Sequence, residues 1–365
     1  MNRGDRALRF GIIGCGAIAP THAGAARQLG HAVTAVADPI ESRRVKLAAE
    51  VSATRVFDDA RALCECDDVD VVCVCTPSGM HVDHAIAALS AGKHVIVEKP
   101  MDVSLEACDR LVAAADTSGL ACAIISQHRF DAATLLARQL IESGEIGRLV
   151  LATADVKWFR TQAYYDEGDW RGTWRWDGGG ALMNQGIHTV DVLQWLAGGV
   201  ARVHGRVLIG SAHERIEVED VAVLSLEFKN GAIGSLVAST ACRDGYPARI
   251  ELYGTDGSIL IEGDSLKRAV LRTGQVFESH QAAEHAVRVA RGGTASVRDE
   301  PGRPLSHAGT GTAWGDAHRA QFQDFIAAIR NNRAPLVDAR AGREPMAIAV
   351  AAYESARTGL TVDVS

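Results

Sequence analysis

Through the first 128 residues of this chain, short apolar runs alternate with stretches of helical periodicity, and that alternation leaves few folds open. The runs are "LRFGII", "AVTAVA", "VDVVCVC", "HVIV" and "ACAII". Between them lie helix-like segments such as "HVDHAIAALSAGK" and the stretch from Ser104 to about Thr117. Such a pattern predicts a doubly wound parallel sheet of the α/β Rossmann type. Ligands of these sheets bind beyond the strand C-termini, where Thr76-Pro77 and Glu98-Lys99-Pro100 fall.

The first turn narrows the reading. Gly14-x-Gly16-x-x-Ala19 follows an apolar strand and opens an alanine-rich helix. A dinucleotide needs small residues here: Gly14 for the tight turn, Gly16 for backbone approach to a pyrophosphate, and Ala19 for close packing of helix on strand. The anion would sit on the helix start, around Ala17 and Ile18, where free N–H groups and the helix dipole favour it. Asp38 ends the second strand 22 residues after Gly16, close to the spacing at which a carboxylate receives the adenosine ribose. Because a carboxylate repels a 2′-phosphate, NAD is favoured. Arg43-Arg44 keep NADP open as the second choice.

A net charge of −7 and a sequence pI near 6.0, with no basic block, give no reason to expect nucleic acid. No apolar run is long enough for a membrane span, and "MNRGDRALRFGIIG" lacks the apolar core of a signal peptide. The eight cysteines are too few for a disulfide scaffold in a chain of 365 residues, and Cys64-x-Cys66 lacks zinc-site spacing, so no metal is expected. Cys73 and Cys75 read as buried strand residues. These features together read as cytoplasmic.

From Arg129 to the end, residues 129–365, the texture changes to α+β. After a helix at 131–142, strands dominate: "RLVLATADVKWFR", "ARVHGRVLIG", "EDVAVLSLEFKNGAIGSLVASTACR", "ARIELYG" and "GSILIEG". They predict a large, mostly antiparallel, open-faced sheet, with a type I′ hairpin at Asn230-Gly231. Neither Ala222, Leu224, Leu226 and Phe228 nor Val221, Val223 and Ser225 makes a strongly solvated face. One face is expected to cover helices and the other a second subunit, giving a homodimer or homotetramer. The stretch 282–313 reads as a loop, and two amphipathic helices close the chain, with the option of packing back on the first domain.

Residues 174–195, "WRWDGGGALMNQGIHTVDVLQW", present a segment apolar nearly all round except for one stripe. On a continuous helix Asn184, His188, Asp191 and Trp195 lie within roughly 60° of one another. Buried polar side chains need partners. The stripe is read as facing a substrate, and the triple glycine as letting backbone pass close to cofactor or sugar. Four of the six tryptophans lie in "WFRTQAYYDEGDWRGTWRW", whose rings suit sugar C–H faces and whose Arg160, Arg171 and Arg175 suit hydroxyls, a carboxylate or a phosphate.

Taken together, the fingerprint at 14–19, "AGKHVIVEKP" at 91–100, "GGGALMNQGIHTVD" at 178–191 and the closing "DFIAAIRNNRAPLVDARAGREPMAIAVAAYESARTG" resemble the glucose–fructose oxidoreductase / inositol dehydrogenase / rhizopine-catabolism (Gfo/Idh/MocA) family over nearly the whole chain. The resemblance implies that Lys99 touches substrate hydroxyl and nicotinamide, Glu98 a ribose, and that Thr76-Pro77 wall the nicotinamide. It makes His188 the active-site histidine, places Trp170-Arg171 near the nicotinamide end, and sets Arg160, Asn184 and Asp191 among the substrate contacts. In the family pattern GGGxxxDxGxHxxD an Asp stands where this chain has Asn184, and an amide cannot raise the histidine's pKa as a carboxylate would. The implied activity is hydride transfer between NAD(P) and a secondary ring hydroxyl of a sugar, glycoside or cyclitol. The rival readings are a nucleotide-sugar 3-dehydrogenase, an NAD-dependent redox glycosidase and a non-catalytic NAD-binding regulator.

Overall fold

The structure is a computed structural model that describes residues 6–278 and 313–365, with side chains described from Asp316 onward in the second stretch. Strands β1 (Arg9–Ile13), β2 (Ala32–Ala37), β3 (Arg55–Phe57), β4 (Val71–Val74), β5 (His94–Val97) and β6 (Cys122–Ile124) form a six-stranded parallel sheet in the order β3-β2-β1-β4-β5-β6. Every residue of β4 is buried, as expected of a β-branched run covered on both faces. The order reverses between β1 and β4, and the crevice beyond their C-terminal ends is where such sheets bind ligands. The helix Leu105–Ser118 starts where Ser104 Oγ accepts from the Ala107 N–H and stops at Gly119, whose φ of +65° a side chain would resist.

The second sheet contains β7 (Leu149–Lys157), β8 (Val200–Ile209), β9 (Glu219–Phe228), β10 (Ile233–Ser239), β11 (Arg249–Gly254), β12 (Ser258–Glu262), β13 (Ser265–Val270), β14 (Val276–Phe277) and β15 (Val362–Asp363). Its order is β14-β13-β12-β11-β7-β10-β9-β8-β15, with β7 and β10 parallel and the other pairs antiparallel. Along β9, Ala222, Leu224, Leu226 and Phe228 are buried while Val223, Ser225 and Glu227 are exposed. The expectation that neither face is solvated therefore holds for the inner face only, which the helices Ile187–Ala197 and Ala339–Thr358 cover. The hairpin at 228–232 differs too. Only Gly231 has a positive φ, +85°, and Phe228 N–H donates to the Ala232 carbonyl, so a three-residue loop replaces the type I′ turn.

The helix Ala313–Arg330 returns to the first sheet and packs on Ala19–Gln28. Phe322, Phe325 and Ile326 join Phe10, Ile12 and Val36 in one buried cluster. The loop expected over 282–313 lies outside the described residues, apart from Ala313. All eight cysteines are free. Among the described residues no helix is long and apolar enough to cross a membrane.

Candidate active site

The cofactor end begins at Gly14, where φ is +89° and a Cβ would stand 2.6 Å from the Cys75 carbonyl oxygen. At Gly16, by contrast, a Cβ would meet nothing within 4 Å, so the backbone faces open space. Ile18 begins the helix Ala19–Gln28 without any side-chain cap, and Ala17 beside it is exposed, so the helix start is free to receive an anion. Ala19 is wholly buried, as close helix–strand packing requires. Asp38 accepts from the Cys15 and Ile40 N–H groups, each at 2.8 Å, which fixes its carboxylate and leaves lone pairs for ribose hydroxyls. Arg44 is turned onto the Asp38 and Pro39 carbonyls. Thr76 Oγ1 is buried with no hydrogen-bond partner among the described residues. An open glycine, an uncapped helix start and an orphaned hydroxyl on one sheet edge fit a dinucleotide laid across it.

Beyond β5, Glu98 is buried and accepts from His22 Nε2 at 2.7 Å and from the Lys99 N–H at 3.0 Å. Burial alone would raise this carboxyl, but hydrogen bonds from His22 and His318 outweigh it and hold Glu98 well below the usual carboxylate range. His81 lies between the Thr76 and Pro100 carbonyl oxygens, at 2.8 and 2.7 Å, and so joins the two loops that follow β4 and β5. Neither His22 nor His81 is singled out by any sequence motif. Both lie on helices facing the sheet edge.

Lys99 reaches across to the second domain, where its Nζ donates to the Asn184 carbonyl at 3.0 Å. That carbonyl sits in a π-helical turn, Ala181–Gln185, separated by Gly186 from the helix Ile187–Ala197. Asn184 and His188 thus belong to successive turns of different type, and Lys99 acts on both. The turn is held by Glu219, whose carboxylate accepts from Gly180 N–H at 3.1 and 3.0 Å, from Leu182 N–H at 2.7 Å and from Tyr353 Oη at 3.0 Å. Burial pushes Glu219 up to about 7. A Cβ on Gly180 would lie 2.0 Å from the Glu219 carbonyl oxygen, one on Gly179 2.1 Å from Tyr353 Oη, and one on Gly178 2.9 Å from Val103 Cγ1. The three glycines therefore admit the protein's own groups, which corrects the reading that they make room for cofactor or sugar.

His188 follows one turn later and is 9% exposed. Its Nε2 lies 3.5 Å from Gln127 Nε2, and its ring meets the edge of His128 at 5.1 Å between centroids. Burial, then the positive charges of Lys99 and His128, hold His188 well below its ordinary value, so the imidazole is neutral at pH 7. Burial also lowers Lys99, against the pull of Glu98 and Asp177. Lys99 and His188, from different domains, line one small cavity.

The rest of the stripe turns to protein. Asp191 accepts from Arg129 Nε at 2.8 Å, from Arg129 Nη2 and from Ser126 Oγ, all buried. The expectation that Asp191 meets substrate gives way to an internal ion pair. Trp195 has the guanidinium carbons of Arg129 and Arg138 over its ring at 5.3 and 5.1 Å. Arg160 and Gln185 continue outward from Asn184, Arg160 Nη2 donating to Gln185 Oε1 at 2.7 Å. Gln185 Nε2 donates to Asn184 Oδ1 and Tyr164 Oη at 2.7 and 2.8 Å. Arg171 lies 4.5 Å over the Tyr164 ring and 5.4 Å over that of Trp170, a further step from Lys99.

Comparison with known proteins gives the same outline. The profile described as "Oxidoreductase family, NAD-binding Rossmann fold" matches residues 8–126, and "Oxidoreductase family, C-terminal alpha/beta domain" matches 138–364. The chain is 26% identical to scyllo-inositol 2-dehydrogenase (NAD(+)) of Bacillus subtilis over 368 residues, 99% of this chain and 97% of the relative. It is 27% identical to levoglucosan dehydrogenase of Pseudarthrobacter phenanthrenivorans, covering 87% of each. It superposes on the WlbA dehydrogenase of Bordetella pertussis, solved with NADH and UDP-GlcNAcA, with a TM-score of 0.84, 30% identity and 99% of both chains covered. With a glycine cradle, a lysine at the edge of one sheet, a histidine over the other and both profiles in order, the chain belongs to the Gfo/Idh/MocA family of NAD-binding oxidoreductases.

Proposed function

We propose that this protein oxidises a secondary ring hydroxyl of a sugar, glycoside or cyclitol with NAD as acceptor. The observation that carries this reading is that Lys99 and His188, from different domains, come close enough for the charge of Lys99 to act on the His188 ring. Bound NAD supplies the hydride acceptor. The protein's task is then to hold the alcohol oxygen and move its proton. A neutral, buried His188 accepts that proton at an imidazole nitrogen, while Lys99 donates a hydrogen bond to the same oxygen. Thr76 and Pro77 wall the nicotinamide side, Glu98 and Asp38 serve the two riboses, and Asn184, Arg160, Trp170 and Arg171 face the substrate side.

Nucleotide sugars stay within this class, because Arg160 and Arg171 suit a diphosphate or carboxylate and a relative of 30% identity is solved with UDP-GlcNAcA. The boundary between cofactor and substrate parts is placed at 128/129, and the site of action is the cytoplasm. Leu208, Val223, Ile233 and Tyr253 are exposed on the outer sheet face, which supports a homodimer or homotetramer through it. Light scattering of the purified protein checks that assembly.

Reduced-nicotinamide absorbance with NAD and NADP across cyclitols, aldoses, glycosides and nucleotide sugars tests the activity. A protein that binds NAD and reduces none of it with any sugar would be a regulator. With a working substrate, His188→Ala is expected to lower kcat by roughly 10²–10⁴-fold while NAD still binds.

A further inference from the structure

Asn184 puts an amide where the family pattern has a carboxylate, yet a carboxylate stands directly behind it. Asp177, immediately before the triple glycine, is 2% exposed. Its Oδ2 accepts from the Gly172 N–H at 2.9 Å and its Oδ1 from Asn184 Nδ2. Asn184 gives its main-chain carbonyl to Lys99 Nζ at 3.0 Å. One residue is thus gripped at both ends, by the amine through its backbone and by the carboxylate through its side chain. The orientation of the amide is fixed as well, since Asn184 Oδ1 accepts from Gln185 Nε2 at 2.7 Å.

The charges around this pair are few. Asp177 is acted on by Lys99 and Arg171, and the hydroxyls of Tyr164, Tyr165 and Tyr353 lie within its field. Lys99 is acted on by Glu98 and Asp177 on one side and by Arg160 on the other, with His188 and His128 as further neighbours. Burial pushes Asp177 up to about 6 and lowers Lys99, and each favours the charged form of the other. Glu98, the other negative charge, is engaged by His22 and by the Lys99 backbone N–H.

We propose that Asp177 is a positioning residue that takes over the part of the missing carboxylate at 184, fixing the Asn184 turn against Lys99 and adding to Glu98 a second negative charge that favours the ammonium form of Lys99. This rests on the reading of Lys99 as the group that meets the substrate hydroxyl. A carboxylate that merely tied the 172–184 loop together would leave the titration of Lys99 where it was.

The test reads that titration directly. The pH dependence of Lys99 acetylation by acetic anhydride, measured by mass spectrometry on the intact protein without substrate, is compared in four forms: parent, D177N, N184D and D177N/N184D. Lys99 is expected to titrate at lower pH in D177N, and near the parent both in N184D, where two adjoining carboxylates share a proton, and in the double variant, where the charge has only moved. With a working sugar, D177N is expected to lose about 10- to 100-fold in kcat, with its pH profile displaced, and the double variant to recover most of it. An unmoved Lys99 titration in D177N, or a double variant no closer to the parent than D177N, would overturn the proposal. Should D177N fail to fold, the double variant decides, since a Lys99 titration displaced from the parent's with the carboxylate returned to 184 would overturn the proposal. A chain that shifted Lys99 as expected but reduced no NAD with any sugar would sink the dehydrogenase reading and spare this one.

Discussion

Two glycine-rich turns of this chain use the same backbone chemistry to opposite ends. At Gly16 a side chain would meet nothing and the helix start beside it has no side-chain cap, so the anion this turn awaits comes from outside. At Gly178–Gly180 the N–H groups of Gly180 and Leu182 already hold the carboxylate of Glu219. A run of glycines therefore does not by itself announce a ligand. What separates the two is whether the chain's own groups already fill the space the glycines leave, as they do at Gly178–Gly180 and do not at Gly16.

Substitutions sharpen this contrast. The largest effect is expected from Gly180→Ala, whose methyl would fall on the Glu219 carbonyl, a main-chain atom with nowhere to go. A loss of about 3 kcal/mol in denaturant unfolding is expected, and a variant of parental stability would break the comparison. Next comes the filled site's own pH dependence. Glu219 sits at about 7 in the fold against an ordinary 4.5, so its contribution to stability is fully present below 4.5 and is lost as pH rises through 7. Relative to Glu219→Gln, the parent should lose on the order of 3 kcal/mol across that window, and parallel stability curves would remove Glu219 from the account. Smallest is Gly16→Ala, which meets no protein atom. Unfolding stability is expected to change by less than about 1 kcal/mol, while NAD affinity measured by calorimetry falls roughly tenfold. The reverse pattern would mean that Gly16 serves packing and not the ligand.

Where local rules dominate, the sequence was easy to read. The β-branched runs became the parallel sheet, Ser104 capped its helix, and Gly14, Gly16 and Asp38 took the positions their spacing implies. The substrate side resisted for a physical reason. A fixed advance of 100° per residue assumes an α-helix, but the turn before His188 follows another rule: the Gln185 and Gly186 N–H groups donate five residues back, to the Gly180 and Ala181 carbonyls. Partners from distant positions were equally hidden, since nothing near Asp191 in the sequence points to Arg129, 62 residues earlier. Asp177 did leave a trace, as an acidic residue directly ahead of three glycines in an apolar stretch.

The helix Ala313–Arg330 lends Phe322, Phe325 and Ile326 to the cluster around Phe10 and Val36. During synthesis the nucleotide-binding half therefore waits, with that apolar seam uncovered, until the second half has been made and has emerged from the ribosome. Order of translation and order of completion run in opposite directions, so the part made first is finished last.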